Sequence, residues 1–211
     1  GNAFEEGSFT VMLCDTEENV LIRVVRLAAK SAKPEYYGIK TAEDLRKFAE
    51  AVNSGRGYDR YRDESGDVVL LSDVDMAGTT EWTPIGTAEN PFTGTFNGKN
   101  FALKNVDWTF DLADGNVAHG LFSALGADGE IKNLTIEGVI RLTGAAPQGA
   151  AISAFVGYAE GKITSCTNKA AIAFAGSDAA NISVCLGGIA GYLQNATLTH
   201  CVNDGALTCG T

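Results

Sequence analysis

The sequence predicts an all-β fold, a parallel β-helix (β-solenoid) preceded by a capping helix and a β-hairpin. Three observations predict it: an internal repeat, the strand-like pattern within each copy, and one amphipathic helix upstream. The repeat is clearest at residues 120–138, GLFSALGADGEIKNLTIEG, and its pattern returns at residues 154–168 and 188–203. A period of this length is typical of solenoids, either helical or β-coiled.

The register of the repeat follows from aligning its copies. Leu134, Cys166 and Cys201 fall at the same position, at intervals of 32 and 35 residues. A weaker upstream copy, FALKNV, places Val106 at that position, 28 residues before Leu134. We therefore expect these residues to form a column inside the wall of the coil.

The local pattern favours strands over helices. Each copy alternates apolar and polar residues over short runs, is rich in Ile, Val, Thr and Phe, and is interrupted by Gly and Asn every few residues. Stacked copies would pair at about 4.8 Å, so that each coil buries its apolar face against its neighbours.

The composition excludes several classes of function. The chain has 211 residues, 45% of them hydrophobic, and a formal net charge of -10. An acidic chain is not expected to bind nucleic acid, which requires clustered Lys and Arg, and the charge also disfavours an anionic polysaccharide. The longest apolar runs are too short or too charged to span a membrane.

The five cysteines include no CxxC pair, so they predict neither a zinc site nor a disulfide framework. Stacking would place the Cα atoms of Cys166 and Cys201 within the range that a disulfide allows. The alternative is two buried free thiols that act as small apolar side chains in one column with Leu134.

Two segments precede the repeats. Residues 1–37 contain two predicted strands, FTVMLC and VLIRVVRL, and form a β-hairpin segment, either the end of a preceding domain or a lid. The remaining part, 38–211, is the predicted β-helix, and its first element is a helix at 42–53. Thr41 supplies the N-terminal cap, an apolar stripe follows, and Gly55 marks the end. We expect this helix to cover the open end of the coil.

The order of the motifs resembles that of the GLUG-repeat surface proteins of gut commensal bacteria. The motifs are TAEDL, LSDVDM, WTPIG, FTGTFNG, GLF and IKNL, and they span residues 38–208. Members of that family are right-handed parallel β-helices of the pectin-lyase-like type, secreted or anchored on the cell surface and described as adhesins. The resemblance thus implies a right-handed coil and an extracellular, cell-surface location.

Candidate metal ligands are few. Asp73 and Asp75 project from the same face of a predicted strand, near Asp67 and Glu81. Calcium prefers such oxygens but needs six or more of them, and the sequence has no ordered ligand loop. A calcium site, a lyase or hydrolase carboxylate pair, and simple turn capping therefore remain as alternatives.

The histidines predict no chemistry. His119 and His200 are the only two, and the sequence has no HExxH motif. His200 occupies the repeat position that Asn133 and Ser165 occupy in earlier copies, which favours an outward polar residue over a catalytic pair with the adjacent Cys201. No catalytic residue is assigned.

The aromatic residues offer a route to binding. Trp82, Trp108, Tyr158 and Tyr192 are candidates for presenting flat faces to sugars or to a partner protein, and the alternative is that they close the ends of coils. Tyr158 and Tyr192 hold matched repeat positions and are expected to stack.

We therefore predict a non-catalytic cell-surface module for adhesion or carbohydrate binding, whose partner is a host or dietary glycan or a surface protein. One alternative is a polysaccharide lyase or hydrolase of pectin-lyase-like fold, which would need three or more ionisable side chains converging in a cleft. The other is the structural stalk of a larger surface protein.

Overall fold

The computed structural model describes residues 9–14, 20–25, 38–175 and 184–209. The chain divides into two compact units, Gly1–Glu35 and Tyr36–Thr211. In the first unit, strands β1 (Phe9–Cys14) and β2 (Val20–Val25) pair antiparallel, as the sequence predicts for a hairpin.

The second unit contains one α-helix, two short 3₁₀ helices and eighteen described strands. The helices are α1 (Ala42–Asn53) and the 3₁₀ turns Asp59–Tyr61 and Leu112–Asp114. The strands are β3 (Val68–Val69), β4 (Val74–Asp75), β5 (Thr95–Asn97), β6 (Ala102–Asp111), β7 (Ala118–His119), β8 (Phe122–Leu125), β9 (Glu130–Lys132), β10 (Thr135–Thr143), β11 (Ala150–Ile152), β12 (Val156–Ala159), β13 (Lys162–Thr164), β14 (Thr167–Asn168), β15 (Ala171–Phe174), β16 (Val184–Leu186), β17 (Ala190–Leu193), β18 (Thr197–Thr199), β19 (Val202–Asn203) and β20 (Leu207–Cys209).

These strands stack in parallel to form four walls. Wall 1 contains β3, β5, β9, β13 and β18, and wall 2 contains β4, β6, β10, β14 with β15, and β19 with β20. Wall 3 contains β7, β11 and β16, and wall 4 contains β8, β12 and β17. From β5 onwards the chain visits the walls in this order and then begins again, so the unit is a β-solenoid of about four turns. The predicted fold class is confirmed.

The predicted column is present between walls 1 and 2. Thr135 pairs with Thr167, and Thr167 pairs with Val202, so the residues that precede them lie one above the other. Leu134 and Cys166 are buried, and Cys201 is half-buried against the same core.

The corner before this column uses an uncommon backbone conformation. Asn133, Ser165 and His200 each have φ of 53°, in the left-handed region. Asn tolerates this conformation better than most residues because its short side chain bonds locally. His200 is exposed at this corner, an outward polar residue as its repeat position predicts.

The upstream register predicted from the sequence is wrong. Val106 pairs with Gly138, so Val106 does not occupy the position of Leu134. The corner between β5 and β6 is longer, with Lys99 and Asn100 both at positive φ, and β6 has a bulge at Asn105. Aligning the repeat copies matches Asn105 to Asn133, but Asn105 lies in the bulge of β6 and Asn133 lies at the corner before β10.

Helix α1 begins and ends at the predicted residues. Thr41 and Asp44 form a reciprocal capping box, and Gly55, with φ of 66°, follows the last turn. The four residues of the predicted stripe, including Phe48, are buried. The Phe48 ring lies 5.7 Å from that of Phe92 and 5.9 Å from that of Phe96, so the helix covers the first coil's core.

No helix among the described residues is long and apolar enough to cross a membrane.

Candidate functional site

A groove of about 920 Å³ lies over walls 3 and 4. Its floor includes Ser123 of β8, Tyr158 of β12 and Tyr192 of β17, and its two rims come from residues 81–91 and 109–119. The first rim is held close to the floor, because the Phe92 amide donates to the Ala124 carbonyl and the Ile85 amide to that of Leu121. We call this surface the groove.

Two stacked tyrosines form one end of the groove. Tyr158 and Tyr192 pair in register, and their rings lie 5.3 Å apart at an interplanar angle of 18°. Tyr158 Oη donates to Gln194 Oε1, and Tyr192 is 46% exposed. Burial, followed by the charge of Glu160, raises the pKa of Tyr158. The predicted stacking is confirmed.

The stack contains two rings because the preceding coil has Ala124 at the paired position. The loop carrying Gly86 packs directly on Ala124, because a Cβ on Gly86 would lie 2.5 Å from the Ala124 carbonyl oxygen. Tyr158 is thus the last ring of the row, and it borders the groove.

The two tryptophans lie in the interior, which corrects the prediction that they present faces to a ligand. Trp82 is 5% exposed and Trp108 is fully buried, and their rings stack at 5.3 Å. Trp82 Nε1 donates to the Leu121 carbonyl oxygen at 3.2 Å. They support the groove from beneath. The alternation of apolar and polar residues along β6 places Trp108 inward, a signal present in the sequence.

Five carboxylates line the groove, and the sequence analysis missed four of them as site residues. Among the described lining residues there is no Lys or Arg. The five are Glu81, Glu89, Asp111, Asp114 and Glu160. No repeat or motif connects them, because coiling brings them to one surface from positions up to 79 residues apart.

Two of these carboxylates also shape the second rim. Asp111 accepts a hydrogen bond from the Ala113 amide at 3.1 Å, and Asp114 accepts one from the Asn116 amide at 2.7 Å. His119 is buried, and its Nε2 lies 3.0 Å from the Asn116 carbonyl oxygen, to which it donates. The histidine therefore holds the rim in place.

Asp73 and Asp75 lie outside the groove lining. Asp73 accepts from the Ala102 amide at 2.9 Å and pairs with Lys104 Nζ at 2.6 Å. Asp75 accepts from the Ala77 amide at 3.0 Å and from Asn105 Nδ2 at 2.9 Å. The Ala77 bond of Asp75 matches the turn-capping alternative, whereas both partners of Asp73 lie in the next coil. Within the described residues, no three His, Cys, Asp or Glu side chains are grouped to hold a metal ion.

Cys166 and Cys201 are free thiols, the arrangement of the second alternative. Their Sγ atoms lie 3.8 Å from the Ile131 carbonyl and 3.5 Å from the Ile163 carbonyl, each in the preceding coil. The adjacent Cys201 thiol and then burial raise the pKa of Cys166, so this thiol is unreactive at neutral pH.

Comparison of the chain with models of protein families, with curated proteins and with solved structures finds no match.

Proposed function

We propose that the protein is a non-catalytic, cell-surface module that binds a glycan in the groove. The observation that carries the proposal is the pair of stacked, partly exposed tyrosines at one end of a large open groove. Sugar rings have apolar faces that pack on aromatic rings, and their hydroxyls need polar partners close by. The carboxylates and hydroxyls of the rims supply such partners.

The size of the groove supports this proposal. Ligand clefts are typically about 300–1,000 Å³, and the groove, at about 920 Å³, is near the upper limit. It is formed by backbone that coil stacking already holds, so a ligand would not have to order it. A preformed site lowers the entropic cost of binding.

Three ionisable groups of the groove lining have structural hydrogen bonds, which favours binding over catalysis at the second rim. Asp111 and Asp114 already accept backbone hydrogen bonds within the rim. His119, the only histidine in the groove lining, is buried and donates to a carbonyl. These three groups thus have structural roles in the rim, whereas a glycoside hydrolase requires two carboxyl groups that flank the scissile bond.

The motif order described above supports the location of this module. The resemblance to GLUG-repeat surface proteins implies a secreted or surface-anchored protein with an adhesive function and a right-handed coil. The partner is then a host or dietary glycan. A structural stalk would have no requirement for two tyrosines at matched positions beside a groove.

A glycan array followed by calorimetry tests the proposal. We expect the purified protein to bind at least one class of oligosaccharide, and Tyr158→Ala or Tyr192→Ala to weaken that binding roughly tenfold each, as expected for the loss of an aromatic platform. Leu198→Ala is the matched control, because it removes another exposed apolar side chain of the last coil, outside the groove.

Three results would contradict the proposal. Absence of binding to every glycan would favour the stalk, and release of reducing ends or unsaturated sugars from a bound glycan would favour a hydrolase or lyase. Binding that survives both tyrosine substitutions would place the site elsewhere.

A further inference from the structure

The groove gathers five carboxylates that have no Lys or Arg partner among the described residues. Nine other acidic side chains, among them Asp73, Asp107 and Glu137, form ion pairs with Lys or Arg within 4.0 Å. In the described part of the chain, none of the five groove carboxylates has such a partner. Their negative charges therefore add together over one concave surface.

Such a surface attracts positive charge more strongly than its separate carboxylates would. A cleft lined by charges of one sign with low-dielectric walls concentrates the field and raises the local concentration of counter-ions. A single divalent cation does not match this arrangement, because among the described residues no three metal-binding side chains are grouped. The charges are spread along the groove, so the matching ligand carries several separated positive charges.

The tyrosine end of the groove adds a second feature that favours cations. Glu160 acts on the Tyr158 phenol, so a carboxylate and an aromatic ring border the same position. Aromatic faces attract ammonium groups through the ring quadrupole. A sugar ring packed on this tyrosine would place an amino substituent within reach of Glu160.

We propose that the groove selects glycans that contain protonated amino sugars and rejects those that contain uronic acids or sulfates. This inference rests on the proposed function, since it names the class of glycan that the groove binds. Tyr158 and Tyr192 pack against sugar rings, and the five carboxylates bind the ammonium groups along the chain of sugars.

Three oligosaccharides of equal length test the inference by calorimetry. They are a β-1,4-glucosamine oligomer, its fully N-acetylated counterpart and an oligogalacturonate, which carry positive, no and negative charge. At low salt we expect the glucosamine oligomer to bind at least about tenfold more tightly than the N-acetylated one, and the oligogalacturonate to bind most weakly. Raising the salt to 0.3 M should remove most of this preference, because exposed charges are then screened.

Charge-removing variants locate the effect. Glu160→Gln is expected to weaken glucosamine-oligomer binding by about threefold to tenfold and to weaken N-acetylated binding by a smaller factor, so that the ratio of the two affinities falls. Glu89→Gln is expected to act in the same direction by a smaller factor. Asp204→Asn is the control, since it removes one exposed carboxylate outside the groove lining and should change neither affinity.

The outcomes separate this inference from the proposed function. Binding of all three oligomers with similar affinity, or tighter binding of the oligogalacturonate, overturns the charge preference and leaves the groove a glycan site. Absence of binding by every oligomer and every array glycan overturns both. An equal effect of Asp204→Asn and Glu160→Gln would show that net charge, not the groove, is responsible, and would also overturn the inference.

Discussion

The outer face of wall 2 and the groove over walls 3 and 4 belong to the same solenoid, but acidic side chains are paired with Lys or Arg on the first and unpaired in the second. On wall 2, side chains of successive coils neutralise one another, as in the pairs Asp73–Lys104, Asp107–Arg141 and Glu137–Lys169. In the groove, five carboxylates have no Lys or Arg partner among the described residues. The stacking that makes a coil self-complementary on one face therefore leaves another face with an unbalanced charge.

This difference indicates how a repeat protein separates stability from binding. A wall whose side chains bond to the next coil stabilises the fold, and its polar groups have their hydrogen-bond and ion-pair partners within the protein. A face whose side chains have no partner in the next coil contributes little to the fold and stays available to a ligand. Substitutions on the two faces should thus have different consequences for unfolding and binding.

The largest expected effect is at Asn168, a buried residue of wall 2. Its Nδ2 donates to the Ala170 carbonyl at 3.1 Å and to Asn203 Oδ1 at 2.7 Å, and its Oδ1 accepts from the Ala170 amide at 2.9 Å. Asn168→Leu leaves these buried groups without partners, and we expect a loss of about 3 kcal/mol in the free energy of unfolding, measured with urea.

Asn203→Ala provides the comparison, because Asn203 is exposed and its removal should cost about 1 kcal/mol. Glycan affinity of the folded Asn168→Leu protein should match that of the parent. A stable Asn168→Leu protein with impaired binding would reverse the roles of the two faces.

A smaller effect on the free energy of unfolding is expected to differ in sign between paired and unpaired carboxylates. Asp107→Asn removes the partner of Arg141 and is expected to lower the free energy of unfolding by up to about 1 kcal/mol. Glu89→Gln removes one of several like charges in the groove, so it should leave stability unchanged or raise it by a few tenths of a kcal/mol. Urea unfolding at low salt measures both, and equal losses in the two variants would contradict the comparison.

The smallest effect is the pH dependence from wall 2. A hydrogen bond from Lys104 and then one from the Ala102 amide lower the pKa of Asp73. The unfolded chain therefore binds a proton at higher pH than the folded one, so this stabilisation is complete above the ordinary Asp pKa of about 3.9 and is lost as the pH falls through the lower folded value.

Thermal unfolding between pH 5 and pH 2 measures this dependence. Asp73→Asn should reduce the slope of stability against pH between pH 5 and pH 2. The slope near pH 7 should be the same in the variant and the parent. A slope that is identical in the variant would show that Asp73 does not contribute.

The features that could be predicted from the sequence are those with a local cause. The bounds of α1 follow from Thr41, an apolar stripe and Gly55, all within one segment. The column at Leu134 and Cys166 follows from the corner residue that precedes each strand of wall 2. The stack of Tyr158 on Tyr192 follows from the same register.

The features that could not be predicted depend on how coils differ from one another. The longer corner at Lys99 and Asn100 shifts the register of the first copy, and a match of residue types does not reveal such an insertion. Glu81 and Glu160 line one groove because the chain winds past the same face repeatedly, and no spacing in the sequence marks them as neighbours. Trp82 was misplaced because a loop residue's direction has no periodic signal.

The corners at Asn133, Ser165 and His200 determine where substitutions can raise the stability of the coil. All three hold the same left-handed backbone, which costs an ordinary L-residue about 1–2 kcal/mol and costs Asn or Gly less. Two of the three corners thus carry residues that are not the best available for their geometry. Replacing Ser165 or His200 by Asn or Gly is therefore expected to stabilise the coil and to offset the cost of substitutions that remodel the groove.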